Sequence, residues 1–149
     1  MADEQLKLDN QLCFRLYTAA RLTMGAYHQY LDPMGITYPQ YLVLLVLWEK
    51  DKQPVNDIAH KLLLETNTVT PILHRMEKAG LINRSKGKED ARQRIVSLTK
   101  KGKAMYEQAK NIPENMCNEA MTPAGDLEEI MQMIPTLDKL IEELKKLNK

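Results

Sequence analysis

The sequence predicts a mainly α-helical chain carrying one small β-hairpin, an α+β arrangement, and three observations predict it. Two short apolar stripes with helical spacing follow one another across a tight break in the middle of the chain. Two short segments rich in β-branched residues, separated by a charged stretch, come directly after them. Both ends of the chain carry long segments whose apolar residues fall on one helical face.

In residues 9–30, Leu12, Leu16, Ala19, Ala20 and Thr23 recur at helical spacing with no proline before Pro33. One long helix is expected there, ended by the turn Asp32, Pro33, Met34, Gly35. Thr37 then caps a second helix, with Pro39 tolerated in its first turn. Its residues 41–48, YLVLLVLW, are apolar on all sides, which predicts the buried centre of the fold.

Val55, Ile58, Ala59 and Leu62 form the stripe of a short helix after Pro54, and a break is expected at residues 64–66. Val69, Ile72, Leu73 and Met76 form the next stripe, which ends at Ala79 and Gly80. Two short helices across such a break make a helix-turn-helix. Pro71 costs a helix starting at Thr66 one backbone hydrogen bond, whereas a start capped by Thr70 puts Pro71 at its favoured first position. The earlier start, with an irregular first turn, is the expectation.

Residues 81–85 and 93–98 read as strands joined by the polar residues 86–92, a hairpin with a charged tip of the kind called a wing. Thr99 caps a helix through about Ala109, Pro113 interrupts, and Thr122 with Pro123 begins a last helix. That helix carries Leu127, Ile130, Met131, Ile134, Leu137, Leu140, Ile141 and Leu144, with a kink expected at Pro135. The reading is one domain over residues 1–149: a winged helix-turn-helix at about 37–99, flanked by helices at about 9–30 and 100–147. A small core cannot cover both amphipathic ends, so these are expected to be dimerisation helices of a homodimer.

The formal net charge is +1, but it is unevenly spread. Residues 1–73 carry 6 basic and 8 acidic groups, residues 74–103 carry 10 and 3, and residues 104–149 carry 5 and 9. A basic block of that density is the footprint of a module that meets polyphosphate, here double-stranded DNA. The longest apolar run spans residues 41–48, far below the roughly 20 residues that cross a bilayer, and the N-terminus is acidic and polar. A cytoplasmic location without membrane contact is expected. His28, His60 and His74 are scattered and neither cysteine has a ligand-spaced neighbour, so neither metal nor cofactor is expected.

A helix of about 12 Å diameter fits the DNA major groove, and its outward residues must combine short hydrogen-bonders with cations. Thr66, Asn67, Thr68 and Thr70 supply the first, and His74, Arg75 and Lys78 the second. The competing reading is a solvated helix face with ordinary capping residues. On the wing stand Lys86, Lys88, Asp90 and Arg92. The Asp90 carboxylate, two residues before Arg92, can hold that guanidinium in one direction while the tip enters a narrow minor groove.

Asp90, Ala91 and Arg92 in the wing, Leu98 and Thr99 after it, and residues 75–81, RMEKAGL, resemble the MarR (multiple antibiotic resistance regulator) winged-helix repressors over nearly the whole chain. Leu12, Cys13 and Phe14, Tyr27, and residues 37–41, TYPQY, before Trp48 look like the branch that senses organic hydroperoxides and oxidation. The resemblance implies that Cys13 is the peroxide-reactive thiol and that Tyr27 and Tyr38 hydrogen-bond it from the other subunit. The spacing agrees: Cys13 and Tyr27 are 14 residues apart, about 21 Å along one helix, with angular positions differing by about 40°. If they touch, they do so between antiparallel copies.

A phenol donating to sulfur stabilises the thiolate, and only the thiolate attacks a peroxide at a useful rate, giving a sulfenic acid. The family includes one-cysteine members that use a small-molecule thiol and two-cysteine members with a resolving cysteine in the C-terminal helical region. Cys117 lies in that region, so the resemblance implies an intersubunit Cys13–Cys117 disulfide. A mixed disulfide, or Cys117 as a small buried hydrophobe beside Met116, is the alternative. Two other functions compete: a repressor answering small aromatic ligands with no redox switch, and a thiol peroxidase. The peroxidase would need neither the basic wing nor the threonine-rich helix.

Overall fold

A computed structural model describes residues 3–148, and in it the chain divides into two units, Met1–Lys110 and Asn111–Lys149. In the first, α1 (Leu12–Leu31) follows two 3-10 turns, Glu4–Leu6 and Leu8–Asn10, so Asp9 belongs to a turn and the helix starts where its apolar spacing begins, at Leu12, not at residue 9. A 3-10 turn at Asp32–Met34 ends it, closed by Gly35 in the left-handed region at φ 70°. Thr37 caps α2 (Tyr38–Glu49) as expected, in a reciprocal box: Gln40 N donates to Thr37 Oγ1 (3.4 Å) and Thr37 N to Gln40 Oε1 (3.1 Å).

Val43, Leu44 and Leu47 of α2 are buried with Ile58, Val69, Leu73, Met76, Ile82 and Val96, which places the core of this unit around α2. Burying each such side chain contributes about 1.5–3 kcal/mol before the entropy of ordering is charged. The all-round burial expected of this helix is not complete: Leu45 is 39% exposed, and Leu42 and Trp48 are half-buried. Trp48 ties α2 to α5 (Lys100–Ala109): its Nε1–H donates to the Gly102 carbonyl (3.0 Å) and its ring meets Tyr106 edge-on at 5.6 Å.

The helix-turn-helix consists of α3 (Val55–Lys61) and α4 (Thr66–Lys78). Leu63 takes a left-handed φ of 58°, and the break covers residues 62–65: it includes the expected 64 and 65, begins two residues earlier, and leaves Thr66 in the helix. The start of α4 at Thr66 matches expectation, but its first turn is regular, with Thr68 N and Val69 N both donating to the Glu65 carbonyl at 3.0 and 3.1 Å. Pro71 sits inside the helix and only removes the donor that would reach the Asn67 carbonyl. The far end closes on Gly80, φ 78°, with Gly80 N on the Glu77 carbonyl and Leu81 N on the Met76 carbonyl, both 3.0 Å.

The wing is β2 (Ile82–Lys86) paired antiparallel with β3 (Arg94–Leu98), and Thr99 caps α5 through Gly102 N. A strand the sequence did not suggest, β1 (Gln53–Pro54), adds to the other edge of β3 in the order β1-β3-β2. Two residues with a proline carry no alternation to read, and the pairing is set by β3 and by Asp51. Asp51 Oδ1 accepts from Lys52 N (2.8 Å) and from Leu98 N (2.9 Å), bending the chain through Lys52 at φ 59°.

The second unit corrects another expectation. The C-terminal segment is divided into α6 (Ile112–Met116), a π-helical turn at Cys117–Met121, α7 (Thr122–Ala124), α8 (Leu127–Met131) and α9 (Met133–Leu147). No single helix therefore runs from Thr122. Extended backbone at Gly125 stops α7, the Asp126 carboxylate caps α8 through Glu128 N (3.3 Å), and Gln132 separates α8 from α9. Pro135 lies in the first turn of α9, where it needs no N–H partner, and the interruption near it is the break at Gln132. Leu12, Phe14, Tyr17 and Leu22 of α1 are exposed, as are Met131, Met133, Ile134, Ile141 and Leu144. No helix of the described residues is long and apolar enough to cross a membrane.

Candidate nucleic-acid interface and thiol site

The buried stripe of α4 turns Thr66, Asn67, Thr68, Thr70, His74, Arg75 and Lys78 outward, and all seven are exposed. Two threonines have committed their protons inside the fold: Thr66 Oγ1 donates to Asn56 Oδ1 of α3 (3.1 Å) and Thr70 Oγ1 to the Thr66 carbonyl (2.9 Å). They offer acceptor lone pairs and methyl groups. The side chains of Asn67, Thr68, Arg75 and Lys78 make no hydrogen bond or ion pair among the described residues, so their polar groups face solvent ready for another partner.

On the wing, Asp90 organises the tip. Its Oδ1 accepts the backbone N–H of Arg92 (3.0 Å) and Arg92 Nε–H (3.2 Å), while the Arg92 side chain stays 92% exposed. The backbone N–H of Arg92, and then its side chain, hold the Asp90 carboxyl below its ordinary range. Gly87 permits the tight tip, because a Cβ there would lie 2.7 Å from the Asp90 carbonyl oxygen. Lys86 and Lys88 are exposed beside it.

Between α3, α4 and the wing lies a cleft of about 520 Å³ lined by Asn56, Thr66, Thr70, Arg84, Arg92 and Arg94 among others. Arg84, Arg94 and Asn56 were not singled out from the sequence. The signal for the two arginines was weak, since alternate strand residues of a basic wing look alike until the register Arg84↔Val96 fixes which face they take, and Asn56 enters only through the packing of α3 on α4. Arg84 is held firmly: its backbone N–H donates to Glu77 Oε2 and its Nη2 to Glu77 Oε1, both 3.1 Å, and Nη2 lies 3.3 Å from His74 Nδ1. The Arg84 hydrogen bonds lower the Glu77 pKa from 4.5. The stabilisation this carboxylate gives is therefore complete above its ordinary pKa and is lost only as pH falls through the depressed value.

Cys13 lies in the first turn of α1 and is exposed; Cys117 opens the π-helical turn, half-buried, its Sγ 3.9 Å from Thr122 Oγ1. Both thiols are free. Cys13 and Tyr27 share α1, so the rise of about 1.5 Å per residue keeps them apart within one chain. The structure does bring Tyr27 and Tyr38 together, ring centroids 4.8 Å apart, and adds Tyr41 at 5.8 and 6.0 Å from them. Tyr41 was read from sequence only as part of a motif and as core. Burial raises the pKa of Tyr27 and Tyr38 above 10.0, the neighbouring Tyr38 adding to the effect on Tyr27, and burial with both neighbours pushes Tyr41 up to about 12. All three phenols therefore keep their protons at neutral pH.

Beside Tyr38 an apolar recess of about 320 Å³ is lined by Met24, His28, Leu31, Ile36, Thr37 and Pro39. Among the described residues no group of three or more His, Cys, Asp or Glu side chains is placed to hold a metal ion.

Compared with known families, residues 36–93 match the MarR family. The chain is similar to the organic hydroperoxide resistance transcriptional regulator of Bacillus subtilis, 40% identical over 134 residues covering 90% of this chain and 91% of that protein. Among solved structures it is similar to reduced AbfR bound to DNA, at 37% identity and a TM-score of 0.78 with both chains covered completely. It is also similar to disulfide-formed AbfR, at 38% identity and a TM-score of 0.64 over 93% of this chain and 95% of that one. AbfR is a protein of Staphylococcus epidermidis.

Proposed function

Because the chain belongs to the MarR family, we propose that it is an oxidation-sensing transcriptional repressor whose reduced homodimer binds pseudo-palindromic operator DNA. The observation that carries this is the exposed face of α4 set beside a wing of oriented arginines around one cleft. The groove-facing helix reads bases, the wing meets backbone and minor groove, and a dimer presents two such helices about 34 Å apart. The exposed apolar side chains of α1, α8 and α9 support pairing of two copies.

The signal is an organic hydroperoxide. The Cys13 thiolate attacks the peroxide oxygen; an S–O bond forms as the O–O bond breaks, sulfur gives up two electrons, and the alkoxide leaves and takes a proton as the alcohol. The Cys117 thiolate of the second subunit then attacks the sulfenic sulfur, forming S–S while the S–O bond breaks and hydroxide leaves and takes a proton from solvent as water. That half-buried Cys117 sits beside Thr122 on a π-helical turn, and that disulfide-formed AbfR is a similar structure, support the second step. Tyr27 and Tyr38, kept protonated by burial, are the donors that hold the partner's Cys13 as thiolate. Drawing the two cysteines together displaces the long helices and spoils the spacing of the recognition helices.

The test is a gel-shift titration on the DNA upstream of the protein's own gene, with and without one equivalent of organic hydroperoxide, beside non-reducing electrophoresis. Peroxide-dependent release together with a covalent dimer is expected. Retention on DNA under peroxide removes the redox reading, and release without a covalent dimer removes the Cys13–Cys117 bond. Arg92→Ala should weaken operator binding about 100-fold, the worth of one contact of about 1–2 kcal/mol in each of two subunits, while leaving the mass of the dimer unchanged. An unchanged affinity would take the wing tip out of the mechanism.

A second reading has one observation in its favour: the apolar recess beside Tyr38 has the size of a small-ligand site. Release from DNA by a small aromatic acid, equally in wild type and Cys13→Ser, would select it.

A further inference from the structure

The cleft between α4 and the wing is bordered by three arginines of different character. Arg92 is almost wholly exposed and tethered only to Asp90 of its own loop, and Arg94 reaches the Ala91 carbonyl at a long 3.4 Å. Arg84 is different, since its side chain is only 21% exposed and is gripped from the recognition helix rather than from the wing. Glu77 takes both the backbone N–H and Nη2 of Arg84, one with each carboxylate oxygen, and His74 of the same helix lies against Nη2. A guanidinium has five N–H donors in a rigid fork. The grip engages one nitrogen, and Nε and Nη1 make no hydrogen bond among the described residues, while Arg84 itself lines the cleft.

Resting on the DNA-binding reading above, we infer that the cleft seats one backbone phosphate of the operator on the unengaged edge of Arg84, with Glu77 as the positioning residue that fixes that guanidinium between recognition helix and wing. A phosphate there touches both readers at once: Arg84 of β2 donates to it, and Thr66 and Thr70 of α4, whose hydroxyl protons are donated within the fold, wall it with their methyl groups. Glu77 gives the fork one direction, as Asp90 does for Arg92, but across two elements instead of within one loop. Its pKa, lowered by the Arg84 hydrogen bonds, agrees with a carboxylate that stays charged while DNA is bound.

Phosphate contacts carry no sequence information and each adds about 0.9 to the slope of log affinity against log salt. Fluorescence anisotropy of the full-length reduced protein, titrated onto an operator duplex and a scrambled duplex between about 50 and 200 mM salt, therefore separates the possibilities. Arg84→Met removes one contact from each subunit of the dimer, so it should reduce the slope by about 2 and weaken both duplexes by a similar factor, about tenfold or more. Glu77→Gln should weaken both about threefold with the slope kept, because the charge remains and only its direction is lost. Arg84→Lys should keep the slope and recover only part of the affinity, because an ammonium cannot meet carboxylate and phosphate in one fork.

An unchanged slope in Arg84→Met, with wild-type thermal melting, makes Arg84 an internal brace and overturns the proposal; so does a loss confined to the operator, which would mean base reading. If Arg84→Met melts below the assay temperature, Arg84→Lys and Glu77→Gln decide, and wild-type affinity in both overturns it equally. Wild type failing on both duplexes would instead sink the DNA-binding reading itself.

Discussion

Cys13→Ser stays on operator DNA in the presence of a stoichiometric organic hydroperoxide that lowers wild-type affinity by about 100-fold, near the upper end of ordinary coupling between two sites. A serine hydroxyl is almost the size of a thiol but cannot form the nucleophilic anion at neutral pH, so no S–O bond forms and the switch has no first step. Within one chain Cys13 is exposed in the first turn of α1, and a serine there can still take the tyrosine hydrogen bonds in the dimer, so the substitution should move stability by no more than about 1 kcal/mol. Reduced-state affinity should equal that of wild type, which separates loss of signal from loss of fold. The oxidised state shifts the population between the two arrangements only by as much as it favours one over the other. If Cys13→Ser is released as readily as wild type, the oxidant acts elsewhere and the thiol is a bystander.

The parts of the fold legible in the sequence were those whose signal is local and periodic. The stripes through Ile58 and Met76, the Thr37 and Thr99 caps and the alternation of the wing are written within a few residues of where they act. The start of α4 at Thr66 was legible too, although Pro71 argued against it, because burial of Val69 outweighs one lost backbone bond. What was illegible depends on partners distant in sequence. β1 exists because β3 offers it a pairing edge and Asp51, bonded to Leu98 N, holds the chain against that edge, and the C-terminal segment breaks at Gln132 although its apolar period runs on through it.

The same division runs through the site. The outward residues of α4 and the pair Asp90–Arg92 could be picked out from spacing alone, but Arg84 and Glu77 could not, being joined only once the Gly80 turn folds β2 back along α4. Tyr27 and Tyr38 stood out by resemblance, whereas Tyr41 joins them through packing of α1 on α2.

Gly102→Ala should be the most destabilising small substitution in the first unit, against the grain of helix propensity. In the first turn of α5 alanine is favoured over glycine by about 1 kcal/mol, and the backbone there needs no positive φ. Space decides the sign instead: a Cβ would lie 2.2 Å from the Leu81 carbonyl oxygen and 3.1 Å from Leu98 Cδ2. The Leu81 oxygen cannot simply step aside, because it accepts Thr99 N (3.1 Å) while Thr99 Oγ1 donates to the Gly80 carbonyl (2.6 Å). Nor can α5 retreat without pulling the Gly102 carbonyl from Trp48 Nε1. Overpacking against fixed backbone costs about 3 kcal/mol, which lowers the melting temperature by roughly 6–12 °C in a chain of this size. Gly25→Ala, with nothing within 4 Å of its Cβ in the chain, is the control and should leave the melting temperature unchanged or raise it. Because the displaced turn launches β2, the Gly102 variant should also bind operator more weakly well below its melting temperature. A Gly102→Ala protein that melts at or above wild type would mean that α5 is free to slide on the wing, and the rigid seat of the arginines would lose its support.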